Sequence, residues 1–165
     1  MAVSMQDWKT IAAVSIALAF GTGGLAAAEH GAHRHEHASA PAGPALNEGQ
    51  KWATDEALRK GMDNIRQAME AALHPIHEGK LSNAGYATLA GKLNKELGGI
   101  VANCKLDAKA DAQLHLVIAE LGEGIEAMEG KARKVKRQAG ALQVIGALEQ
   151  YGSHFEHPGW QAIAH

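Results

Sequence analysis

A single thiol, a following imidazole and a nearby thioether are the side chains of this 165-residue sequence whose types suggest chemistry: Cys104, His115 and Met62. Cys104 is the only cysteine. Thiolate, imidazole and thioether donors select soft or borderline ions, so this set suits Cu(I) first and Zn(II) second. A second candidate lies upstream, where His30, His33, His35 and His37 crowd into a short polar stretch. Neutral imidazoles on a flexible chain wrap around Cu(II), Ni(II) or Zn(II). Each candidate also has a bland counterpart. Cys104 reads as a small buried hydrophobe, His115 as a flank histidine, Met62 as core filler and the four histidines as a polar linker.

The elements that must position these groups follow from composition and periodicity. Lys plus Arg number 16 against 18 Asp plus Glu, a net charge of −2 that gives no basis for a nucleic-acid partner. β-Branched and aromatic runs are scarce, which leaves strands little support and points to an all-α class. Met1 to Lys9 is a polar start, Thr10 to Phe20 an apolar run, and Ala26 with Ala28 a small-residue cleavage pattern. Residues 1–28 are therefore expected to be a signal peptide, with an uncleaved membrane anchor as the alternative. Export implies the periplasm or secretion. A lone thiol in an oxidising compartment needs burial, a metal or an intermolecular disulfide. Cleavage after Ala27 instead of Ala28 would make His30 the third residue, and its imidazole with the free amine and two amides would form a square-planar copper site.

Residues 29–46, rich in His, Pro, Gly and Ala, lack an apolar period and are expected to be a disordered linker. Residues 47–157 read as a four-helix bundle and 158–165 as a C-terminal tail. Thr54 is the expected N-cap of the first helix, whose apolar stripe is Leu58, Met62, Ile65, Met69, Leu73 and Ile76. Pro75 is expected to kink it and Gly79 to follow its end. Ser82 caps the second, with the stripe Tyr86, Leu89, Leu93, Leu97, Ile100 and Cys104. Asp107 or Asp111 caps the third, which buries Leu114, Ile118, Leu121, Ile125 and Met128. Gly130 interrupts, and Ala132, Val135, Ala139, Leu142, Ile145, Leu148 and Phe155 define the fourth. Lys131 to Arg137 then place a basic run at that helix's start, read as a solvated face. The alternative joins helices three and four through Gly130 in a homodimer.

Short connections favour an up-down-up-down order. That order collects Met62, Cys104, His115, His154 and His157 at one end, together with Trp52, Tyr151, Phe155 and Trp160. His74 and His77 fall at the other.

A Met early in helix one and a His late in helix four, within Tyr151-Gly152-Ser153-His154-Phe155, resemble the soluble b-type cytochromes of the four-helix-bundle class. The resemblance implies haem b held by Met62 and His154 in an electron carrier. No C-x-x-C-H occurs, so the haem would not be covalently attached. The segments Leu46-x-x-Gly49-x-Lys51-Trp52-x-Thr54-Asp55-x-x-Leu58-Arg59-x-Gly61-Met62 and Asn103-Cys104-Lys105-Leu106 are similar to a family of small secreted bacterial proteins. That likeness implies export and fold, without a mechanism.

No nucleophile–base set, phosphate loop or paired carboxylates stand out, so the expectation is a non-enzyme. The leading expectation is an exported metal-binding bundle that sequesters or delivers copper, with zinc less favoured. The metal ligands would be His30, His33, His35 and His37 on the arm and Cys104, His115 and Met62 on the bundle. Its partners would be the ion and a second exported protein, with no stable membrane association after signal cleavage and a monomeric or homodimeric state. The remaining alternatives are the haem carrier and a cofactor-free interaction module.

Overall fold

The computed structural model describes residues 43–164. The expected signal peptide and the four arm histidines lie outside the described residues. Four helices follow in order: α1 Glu56–His77, α2 Asn83–Asn103, α3 Ala108–Glu129 and α4 Arg137–His154. Each packs on its neighbours in sequence, and α4 closes the ring against α1. The connections are short, so successive helices run antiparallel as a four-helix bundle. Among the described residues no helix is long and apolar enough to cross a membrane.

Local chemistry sets the helix ends. Asp55 caps α1 by accepting from the Leu58 N–H at 2.8 Å. Ser82 caps α2 through Gly85 N–H at 3.0 Å, and Asp107 caps α3 through Lys109 and Ala110 at 3.0 and 3.1 Å. Side-chain oxygens here satisfy amides that have no partner within the helix. Gly79 follows the α1 cap at φ +63°, and Gly130 ends α3 at φ +81°. Both adopt the left-handed conformation that glycine reaches without a Cβ clash. Pro75 sits inside the last turn of α1, and its carbonyl accepts from Lys80 and Leu81, which folds the connection back. The chain therefore breaks at Gly130 rather than running through it.

The core takes the expected faces of α1, α2 and α3. Leu58, Met62, Ile65, Met69, Tyr86, Leu93, Leu114, Leu121 and Ile125 are all buried. Two expectations need correction. Thr54 does not cap α1; its hydroxyl donates to the Glu156 carbonyl at 2.5 Å and accepts from Arg59 at 3.1 Å. The Asp55 carboxylate takes the cap because it can accept from two amides at once, Leu58 and Lys105.

The second correction concerns α4. Val135 and Leu142 are 45% and 48% exposed, while Ala141, Val144, Ala147 and Tyr151 are buried instead. The face is set by glycine rather than by the largest apolar side chains. A Cβ on Gly140 would lie 2.5 Å from the Gly124 carbonyl oxygen, and one on Gly124 would lie 2.8 Å from that of Gly140. The α3 and α4 backbones touch there, which turns Leu142 outward. The basic run also precedes α4 instead of opening it. Lys131 to Lys136 form the exposed connection apart from half-buried Ala132, and the Arg137 guanidinium reaches back to the Met128 carbonyl at the end of α3.

Candidate functional site

The chain entering α1 and the chain leaving α4 pair at one end of the bundle. Trp52 N–H donates to the His154 carbonyl and Glu156 N–H to the Trp52 carbonyl, both at 2.8 Å. The Trp52 indole N–H donates to Ala45 at 2.6 Å, and Lys51 Nζ reaches the Gly152 carbonyl at 2.6 Å. Ordered contacts thus start upstream of residue 47: Pro44 is buried and the Ala45 N–H donates to Gln113 at 2.7 Å. Tyr151 and Phe155 stack beneath, with ring centroids 5.4 Å apart and both side chains fully buried. The expected aromatic end is therefore present.

The candidate ligands sit in different environments at this end. Met62 is completely enclosed in the core. Cys104 is the half-buried C-cap of α2. Burial first, and the Asp55 charge second, push the thiol up from 9.0 to about 11. It is a neutral thiol at pH 7, whereas metal binding requires the thiolate. His115 is exposed, and its Nδ1 lies 2.9 Å from the Asp111 carbonyl and 3.4 Å from the Asp111 carboxylate. The Asp111 charge raises the Cys104 thiol a little further. Among the described residues no group of three or more His, Cys, Asp or Glu is placed to hold a metal ion. His154 is half-buried, with Nδ1 held by the Gln150 carbonyl at 2.8 Å. At the opposite end His74 meets Glu78 at 3.2 Å.

A polar chain that sequence reasoning missed runs through the same end. His157 Nδ1 is 3.0 Å from the Tyr151 hydroxyl, and its Nε2 is 3.3 Å from the Asp63 carboxylate. Asp63 in turn lies 3.8 Å from Arg66, whose guanidinium sits 6.0 Å from the Trp160 ring. His157 and Trp160 were readable as members of this end. Asp63 was not, because a charged residue beside a core methionine looks like an ordinary solvated flank. The His157-Pro158-Gly159-Trp160 sequence was the available signal, since Pro-Gly fixes a turn that brings the chain back on itself.

No family model, characterised protein or solved structure matches the chain. The functional reading therefore rests on its own residues.

Proposed function

We propose that the protein is an exported metal-binding four-helix bundle whose His30/His33/His35/His37 arm captures copper, with zinc as the second ion, for sequestration or delivery. The observation that carries this reading is the clustering of four imidazoles between residues 30 and 37. At pH 7 most imidazoles are neutral and present a lone pair to a borderline ion. The arm comes before the bundle donors because Cys104 must first lose a proton that burial and Asp55 hold on it. His115 and Met62 then serve at most as later ligands, after the thiol has lost its proton.

Calorimetric titration of the purified protein with Cu(II) and then Zn(II) tests the reading. Stoichiometric copper binding that disappears when His30, His33, His35 and His37 are all changed to Ala supports it. Equal binding by that variant overturns the arm as the site.

The haem reading has one feature in its favour. Holding Nδ1 of His154 on a carbonyl leaves Nε2 as the ligand atom, a common arrangement for metal-binding histidines. The thioether of Met62 opposes it, being enclosed by core side chains on every side. A Soret band on haem addition, lost in both Met62→Ala and His154→Ala, would favour the haem carrier over the arm.

A further inference from the structure

Beyond α4 the chain does not trail away. Residues 156–164 fold back over α4 and α1 as a strap. The turn His157-Pro158-Gly159-Trp160 is closed by the Trp160 N–H donating to the His157 carbonyl at 3.0 Å, with Gly159 at φ +81°. Proline at the second position and a left-handed glycine at the third are the pattern of a type II turn. The Trp160 ring lands edge-on to Tyr151, 4.9 Å between centroids, and 5.0 Å from the His157 ring. It lies over Gly152, where a Cβ would collide with the indole. Ile163 is buried farther along the strap.

Glu156 is tied to Thr54 and Trp52 at the strap's root, and beyond it the turn is fastened by His157. Its side chain is only 4% exposed and lies between the Tyr151 hydroxyl of α4 and the Asp63 carboxylate of α1. A carboxylate can only accept, so Nε2 carries the hydrogen. Nδ1 then accepts from the Tyr151 hydroxyl. A neutral imidazole satisfies both neighbours. A second proton, on Nδ1, sets an N–H donor against the O–H donor of a fully buried tyrosine. The hydroxyl must turn to accept, and its own hydrogen loses the acceptor it has now.

The charges around the ring do not remove this conflict. Burial disfavours the imidazolium most, Asp63 favours it, and Arg59 and Arg66 on the same helix disfavour it; the ring is held below its usual 6.5. Tyr151 is the titratable group of α4 that touches the ring, and it remains protonated because burial raises it further. Lys51, from the segment before α1, and Glu156 line a cleft of about 440 Å³ that also borders His157 and Pro158.

We propose that His157 is a proton-operated clasp: neutral, it holds strap residues 157–164 against α1 and α4, and protonated, it lets them go while the four helices stay folded. Each pH unit by which the docked ring resists its proton, relative to the released ring, multiplies the released-to-docked ratio tenfold in acid.

The test is NMR of the whole protein from pH 8 to 4.5, following the Trp160 indole N–H and the Ile163 methyl groups. Methyls of Ile65 and Leu121 report the core. Both strap signals are expected to move to solvent-exposed values with a midpoint below pH 6.5, while the core methyls and the helical circular dichroism stay unchanged. His157→Gln, which cannot acquire charge, is expected to keep the strap docked over the same range. Asp63→Asn removes the carboxylate that tolerates the imidazolium and anchors Nε2, and is expected to move release to higher pH. A strap that stays docked while the His157 ring titrates, an Asp63→Asn midpoint that does not rise, or a folded His157→Gln protein that releases the strap like the wild type would each overturn the clasp.

Discussion

The Asp55 carboxylate caps α1 through the Leu58 N–H at 2.8 Å and accepts from the Lys105 N–H, one residue past Cys104, at 2.6 Å. One side chain therefore stitches the start of α1 to the end of α2, and its charge adds to burial in keeping the Cys104 sulfur protonated. The two duties separate by substitution. Asn is as good an N-cap as Asp but carries no charge. Asp55→Asn is expected to keep the helix and lower the thiol below about 11 while burial still holds it above 9, so that alkylation at pH 8 speeds up by several fold. Asp55→Ala is expected to cost about 2 kcal/mol in urea unfolding, roughly one for the cap and one for the Lys105 hydrogen bond.

The α3–α4 contact predicts opposite outcomes for two glycines on α4. Gly140→Ala forces a methyl group against the Gly124 carbonyl and should destabilise the bundle by about 1–3 kcal/mol. At Gly146 a methyl group would enter open space, with nothing within 4 Å, so Gly146→Ala should stabilise by about 0.5–1 kcal/mol. Chemical denaturation of the two variants reads both signs.

Stability should fall at both ends of the pH scale. His157 has a folded-state value lowered from 6.5, chiefly by burial. Its contribution is fully present above 6.5 and is lost as pH drops toward the lowered value, because the unfolded chain takes the proton first. Cys104 is raised from 9.0 to about 11, chiefly by burial. Its contribution is complete below 9 and is lost as pH climbs through 11. Asp55 adds a third limb: burial pushes it up, but the Leu58 and Lys105 N–H groups pull it below 3.8 overall. Its contribution is lost as pH falls below that range. A urea-midpoint profile should therefore decline below pH 6.5 and again above pH 9. His157→Gln should flatten the first decline only.

Met62 separates packing from ligation. Met62→Leu conserves volume and should cost less than about 1.5 kcal/mol, whereas Met62→Ala leaves a cavity worth about 2–5 kcal/mol. If Met62 is core alone, the Met62→Leu protein binds copper with unchanged affinity and stoichiometry. A large loss of Cu(I) affinity in this stable variant would make the thioether a ligand.

The helix pattern was legible wherever large apolar residues recur on one face, as from Leu58 to Ile76 and from Leu114 to Met128. Ser82, Asp107, Gly79 and Gly130 marked helix ends because their local geometry demands those residue types. The α4 face was not legible, because Gly124 and Gly140 define it by what they lack, and a contact between two backbones leaves no apolar signal. The aromatic end could be assembled from topology alone. The clasp could not, since the Asp63–His157 contact joins residues far apart in sequence whose types are ordinary on any helix flank.

Copper titration of the protein with and without the four arm imidazoles tests the central claim most directly. The expected result is stoichiometric Cu(II) on the intact protein and a loss of at least about tenfold in affinity when His30, His33, His35 and His37 are Ala, with the unfolding transition of the bundle unchanged. Undiminished copper binding by that variant, or no copper bound by the intact protein, would contradict it.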